Sequence, residues 1–204
     1  MDAAFVLRYV LPRLLRGDQM KYDIVLGGVG GQGILLASQV IAQAAMKKGL
    51  KVMMAETHGM AQRGGSVISH VRLGDVYGAL VPEGHGDLVV GFEYMEAFRQ
   101  LKFLAKGKNL IINTHRMKPV TLETYPELDF DLSDYKVMRL DATEIATNLG
   151  NVIVANMVIV GAMSQFAQLP VSQQEIKDAI RESVPPEFAD INVKAFQEGV
   201  TAAQ

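Results

Sequence analysis

From Tyr22 onward, short apolar runs alternate with longer stretches of helical periodicity, and no low-complexity linker interrupts them. Tyr22 to Leu26 reads as a buried strand, and a glycine cluster follows it. Ile34 to Lys48 then carries an apolar stripe ended by Gly49, the pattern of a helix. Lys51 to Ala55 is a second strand. Ser66 to Leu73 and Val76 to Val81 alternate about Gly74-Asp75 and predict an inserted hairpin. Leu88 to Gly91 predicts a core strand, Tyr94 to Leu104 a helix, Leu110 to Asn113 and Lys136 to Leu140 two further strands. Lys118 to Asp134, with two prolines and several acids, is an excursion. Asn151 to Gln168 is apolar on nearly every side and predicts a helix buried against the sheet or against another subunit. Ser172 with Glu175 opens a helix that Pro185-Pro186 stops, and a last helix around Asn192 to Glu198 would end at Gly199. The alternation predicts an α/β fold: a three-layer, Rossmann-like, mixed but mainly parallel sheet with an inserted β-hairpin and C-terminal helices.

Composition narrows the chemistry. With 204 residues, 49% of them hydrophobic, the chain can bury a substantial core. Lys+Arg 20 against Asp+Glu 22 leaves a formal charge of -2, which advertises neither nucleic acid nor an anionic membrane. There is no cysteine, hence no disulfide, no thiolate nucleophile and none of the usual ligands of an iron-sulfur cluster. The histidines at 58, 70, 85 and 115 lack the spacing of a helical zinc site. Val152 to Met163 falls short of the ~18 apolar residues of a membrane span, and a cytoplasmic protein is expected. Residues 1–19 mix apolar and basic side chains around Pro12, without a small-residue cleavage site. They read as an N-terminal appendage, disordered or helical, ahead of a folded unit at 20–204.

Two motifs carry candidate chemistry. In Gly27-Gly28-Val29-Gly30-Gly31-Gln32-Gly33, the glycines at 28, 30 and 33 satisfy G-x-G-x-x-G between a strand and a helix. Such a loop lets backbone approach an anion at a helix N-terminus, or simply lets strand and helix pack closely. Glu56 falls near the ~20-residue offset of a ribose-binding acid, so a free-standing NAD- or flavin-binding oxidoreductase is one reading. A Walker-type loop is disfavoured because Ile34-Leu35 follows Gly33. The second motif, Glu56-Thr57-His58-Gly59-Met60-Ala61-Gln62-Arg63-Gly64-Gly65-Ser66, lies where the second strand should open onto the ligand crevice of an α/β fold. Arg63 beside two glycines offers an uncrowded cationic fork for phosphate or carboxylate; the plain alternative is a polar loop supporting the next strand. His70 and His115 read as satisfied structural residues, whereas His85 sits in a turn that can face a neighbour.

Taken together, the glycine loop and the His58-to-Ser66 stretch resemble the gamma-type subunits of 2-oxoacid:ferredoxin oxidoreductases, most closely the small subunits of the indolepyruvate branch. The likeness continues through Val81-Pro82-Glu83-Gly84, Asp141 to Ala146, Gly150-Asn151, Asn156 with Gly161-Ala162, and Asn192 to Gly199. It spans about 20–199, so 20–204 is identified as a pyruvate/ketoisovalerate oxidoreductase gamma-type domain. The resemblance implies oxidative decarboxylation of a 2-oxoacid with coenzyme A, to acyl-CoA, carbon dioxide and reduced ferredoxin. It also implies a large catalytic partner holding thiamine diphosphate and the iron-sulfur clusters, with this chain binding neither and being inactive alone. By the same resemblance, the chain completes the active-site cavity and helps position coenzyme A, with aryl pyruvates such as indolepyruvate as substrates. Gly28, Gly30, Gly31, Gln32 and Gly33 match the family's glycine loop. His58, Met60, Gln62, Arg63, Gly64 and Gly65 match its second signature and are expected to contact substrate or partner. None is expected to be an acid, base or nucleophile. A purely structural assembly subunit is the remaining alternative. For the apolar helix, Val158 and Met163 are candidate outward positions in a subunit contact, with ordinary core packing as the equal alternative.

Overall fold

The computed structural model describes residues 20–59, 64–118 and 123–204. Its six strands are β1 (Lys21–Val29), β2 (Val52–His58), β3 (Ser66–Gly74), β4 (Gly86–Gly91), β5 (Leu104–Asn113) and β6 (Lys136–Leu140). They form one sheet in the order β2-β3-β1-β4-β5-β6. β1, β4, β5 and β6 run parallel, while β3 lies antiparallel between β1 and β2. The helices are α1 (Ile34–Lys47), α2 (Tyr94–Arg99), α3 (Ala142–Asn148), α4 (Ala155–Phe166), α5 (Gln173–Ser183) and α6 (Pro186–Ala202). This is the mixed, three-layer α/β architecture the alternation predicts.

The central strands are apolar in unbroken runs because both faces are covered. Ile24, Val25 and Leu26 of β1 and Leu88, Val89 and Val90 of β4 are fully buried. Even-numbered β1 side chains meet the core built with α1, α3, α4, α5 and α6. Val25, Val89, Leu110 and Ile112 meet a smaller core closed by Phe98 of α2, Val81 and Leu104.

Four local expectations are revised. The inserted antiparallel element exists, but Val76 to Val81 is not its second strand. β3 pairs over nine residues with β1 and seven with β2, so neither of its edges is left for that segment. Val76 and Val81 instead anchor an irregular loop by burial, and the Val81 N–H donates to His70 Nδ1 at 3.2 Å. The helix from Tyr94 stops at Arg99; a 3-10 turn at Leu101–Phe103 follows, and β5 starts at Leu104, whose side chain is needed in the smaller core. The last helix runs straight through Gly199, from Pro186 at its first turn. Finally, α4 packs inside the chain: Val158 and Met163 are 0% exposed. A Cβ on Gly161 would overlap the Phe196 carbonyl oxygen, and one on Gly199 would overlap that of Val158. Small residues on both helices let the backbones of α4 and α6 touch, so the apolar surround of α4 is core.

The capping box of α5 is present, with Ser172 and Glu175 bonded reciprocally. Among the described residues no helix is long and apolar enough to cross a membrane. The proposed appendage at residues 1–19 lies outside the described residues.

Candidate functional site

Parallel strands send their carboxyl ends to one side, and the chain leaves β1 through α1 toward β2 but leaves β4 through α2 toward β5. The gap between β1 and β4 is therefore the point where the strand order reverses, the place where α/β sheets take ligands. The glycine loop lies there. Gly28 is closely packed: a Cβ there would press within 2.8 Å of Gln32 Oε1 and Phe92 Cβ, and one on Gly33 would meet Asn156 Nδ2 at 2.3 Å. Gly31 and Gly33 have φ of 103° and 72°, a backbone region that favours glycine. Gly33 is the N-cap of α1 and supplies no side-chain acceptor, so the first N–H groups of α1 are left without a side-chain cap. Gln32 turns inward: its Oε1 accepts from the Val29 N–H at 2.8 Å and its Nε2 donates to the Phe92 carbonyl at 3.1 Å. It ties the exits of β1 and β4 together.

The second signature reaches the same place from β2. The Gly30 N–H donates to the Gly65 carbonyl at 2.8 Å. Gly64 has φ 79°, and Gly59 N–H bonds the Ser66 carbonyl at 3.1 Å. Ser66 Oγ donates to the buried Glu96 carboxylate at 2.7 Å, fixing the signature's end to α2. His58 is half-exposed, with Nε2 3.6 Å from Glu56 Oε2. Between the two motifs lies a pocket of 670 Å³ whose lining includes Gly30, Gly33, Gln39, His58 and Gly59. Among the expected site residues, Met60, Gln62 and Arg63 lie outside the described residues; Gly30, Gly31, Gly33 and His58 line this pocket, whereas the Gln32 side chain faces the neighbouring crevice and Gly28, Gly64 and Gly65 do not line it.

Glu56 does not reach the position a dinucleotide fold requires. That acid belongs at the end of the strand next to β1, and here β3 occupies that place, with Glu56 opposite Ser69. One interposed strand sets it about 10 Å away.

Several residues of the rim carry no sequence signal. Glu93 caps α2 through Oε2, which accepts from the N–H groups of Met95 (2.7 Å) and Glu96 (3.1 Å). Its Oε1 accepts from the Met117 N–H (3.1 Å) and the Tyr125 hydroxyl (2.7 Å). Burial, then the neighbouring Glu93 carboxylate, push the Tyr125 phenol well above its ordinary range, so it stays a donor. Asn113, at the end of β5, donates to the Phe92 carbonyl (2.9 Å) and accepts from the Ala142 N–H (3.0 Å). With Gln32, Phe92, Asn156 and His115 it lines a second crevice of 260 Å³. His115 is thus at the crevice wall, in contrast to its expected structural role. His70 does behave structurally. Its ring is buried, edge-on to Phe103, and burial followed by Arg72 and Lys102 holds its pKa below the ordinary value, leaving Nδ1 free to accept. His85 is exposed in its turn.

Among the described residues no group of three or more His, Asp and Glu is placed to hold a metal ion. What the rim offers is backbone N–H groups, open space beside Gly31 and Gly64, and polar side chains that brace loops rather than exchange protons. Such a surface can hold an anionic or extended ligand against backbone.

Comparison with known proteins gives relatives in sequence and in fold. The family model described as pyruvate ferredoxin/flavodoxin oxidoreductase matches residues 23–202. The indolepyruvate oxidoreductase subunit IorB of Thermococcus kodakarensis is 46% identical over 195 residues, covering 90% of this chain and 96% of that protein. The corresponding subunit of Archaeoglobus fulgidus is 44% identical over 193 residues, with 90% and 96% covered. Among solved structures, the gamma subunit of a keto/oxoacid ferredoxin oxidoreductase from Geobacter sulfurreducens superposes with a TM-score of 0.70 at 28% identity, over 89% of this chain and 98% of that one.

Proposed function

The chain belongs to the pyruvate ferredoxin/flavodoxin oxidoreductase family, as a small subunit of the indolepyruvate oxidoreductase type, and from that premise we propose that it completes the active-site cavity of a cytoplasmic complex and helps position coenzyme A. The large partner would hold thiamine diphosphate and the iron-sulfur clusters and pass electrons to ferredoxin; aryl pyruvates would be the substrates. This chain's part is binding and orientation.

One observation carries the reading: the 2.8 Å bond from the Gly30 N–H to the Gly65 carbonyl joins the two signatures into a single lip of a 670 Å³ pocket. The uncapped first turn of α1 supports a phosphate there, and the apolar stretch of the pocket formed by Ile34, Leu35 and Leu36 suits the thinner, less polar arm of coenzyme A. Arg63 is assigned to a phosphate of coenzyme A or to the partner's cofactor region. In the assembled complex, Arg63→Ala should raise KM for coenzyme A about tenfold, the loss of one charge-assisted contact. Unchanged coenzyme A kinetics with intact assembly would remove the assignment.

A second reading, a subunit that only seals its partner, is favoured by the internal use of the Gly30 N–H and of the Gln32 side chain. It expects no change in KM for coenzyme A from any replacement along this lip.

A further inference from the structure

Three exposed large apolar side chains gather around the 260 Å³ crevice. Met117, Val152 and Ile153 are 40%, 54% and 77% exposed, and all three line it. The last two are held outward by local geometry. Gly150 adopts φ 85°, the Asn151 side chain accepts from the Ile153 N–H at 3.1 Å, and Val154 is buried, so the phase of this 3-10 turn is fixed.

Three polar side chains of the crevice, those of Gln32, Asn113 and Asn156, are already engaged. Gln32 bonds Val29 and Phe92, Asn113 bonds Phe92, Ala142 and Thr143, and Asn156 accepts from the Met157 N–H. Apart from the His115 ring and the Thr143 hydroxyl the lining that remains for a ligand is apolar, and the volume lies below the range of about 300 to 1,000 Å³ typical of small-molecule pockets. A single apolar side chain fits both the size and the chemistry.

Beside this rim stands Arg116, exposed and placed between two lining residues. Its guanidinium lies 4.7 Å from the Tyr94 ring centroid and 5.3 Å from that of Tyr125. Tyr125 is itself fixed by Glu93. Among the described residues no Asp or Glu forms a salt bridge with Arg116, so an oriented cation is presented on the two rings.

We infer that this rim is the docking surface for the family's large catalytic subunit, which inserts an aliphatic or aromatic side chain between Met117 and Ile153 and sets a carboxylate against Arg116. The inference rests on the chain's place as a subunit of such a complex. Charge complementarity to Arg116 and the exposed apolar rim define the partner's chemistry, and the crevice shares Gly31 and Gln32 with the glycine loop, so docking here would close the active-site side of the assembly.

The test is to coproduce the full chain with the large subunit and measure their dissociation constant by sedimentation, for the wild type and for Ile153→Asp, Arg116→Glu and, as a control on α6, Phe188→Asp. Thermal melts of each separate chain report its own fold, and Ile153→Ser serves where the aspartate variant fails to fold. Affinity should fall about a hundredfold for Ile153→Asp and about tenfold for Arg116→Glu, with Phe188→Asp unchanged. Wild-type affinity in Ile153→Asp overturns the assignment, as does a variant that loses self-association of this chain while keeping the large subunit, which would make a second copy the occupant. A fully assembled Ile153→Asp complex with a raised KM for coenzyme A would make the crevice a ligand site and also overturn it. Retained assembly with normal coenzyme A kinetics removes the docking surface alone and leaves the proposed function standing; a wild-type chain that never binds the large subunit removes both.

Discussion

The contact between α4 and α6 and the rim at the strand exits solve opposite problems with similar residues. Both are rich in glycine and aliphatic side chains. In the helix pair, Gly161 and Gly199 bring two backbones together, and every apolar neighbour, from Met157 to Met163, is buried within the chain. At the rim, glycines hold the backbone open, the Gln32 and Asn113 side chains are bonded inward, and Met117, Val152 and Ile153 are exposed. Burial of apolar surface is completed in the first region and left incomplete in the second, and an incomplete one is what a subunit offers its partner.

Substitutions that disturb one region and spare the other break this comparison. The largest effect on the chain itself should come from Gly199→Val, whose branched side chain has only backbone to displace. A loss of about 3 kcal/mol is expected, read as a fall in the denaturation midpoint of the isolated chain, while Ile153→Asp should change the stability by no more than about 0.5 kcal/mol. Equal destabilisation by the two would erase the distinction. Next, Gln32→Ala leaves the Val29 N–H and the Phe92 carbonyl without this partner, so about 1 to 2 kcal/mol of stability should go. KM for coenzyme A should rise with it in the assembled complex if the loop positions that ligand.

The smallest effect concerns His70. Its folded pKa lies below the ordinary 6.5, so neutral His70 is the form that the fold prefers. Stability from this group is full above that value and is lost as pH falls below it toward the folded pKa, because the unfolded chain takes up the proton first. Melting temperature should therefore decline between about pH 7 and pH 5, and His70→Gln should flatten that decline; an unaltered slope would assign it to other groups.

What could be read from the chain before its structure follows the range of the forces involved. Period and caps are local, so the strands of the central sheet, α1 and the Ser172–Glu175 box of α5 were legible. The turn signal at Gly74-Asp75 is local and suggests a hairpin, whereas the partner that claims β3 is β1, whose residues lie far earlier in the chain, from Val29 opposite Ser66 to Lys21 opposite Gly74. The apolar surround of α4 shows that the helix is buried and not by what; that depends on Gly199 meeting Val158, a pairing no window contains. For the same reason the glycine loop was visible as a motif, but its bond to Gly65 was not. Glu93, Asn113 and the outward turn at Val152-Ile153 have no motif at all, since they work through backbone groups supplied by other elements. Asp141 with Glu144 did carry a capping signal for α3, in which the Asp141 side chain accepts from the Glu144 N–H at 2.8 Å.

The most direct measurement is anaerobic dye reduction driven by an aryl pyruvate and coenzyme A, using the large subunit and this chain separately and together. The complex alone should turn over, with a rate that depends on coenzyme A. Turnover by the isolated chain, or full coenzyme A-dependent activity of the large subunit without it, would contradict the role assigned here.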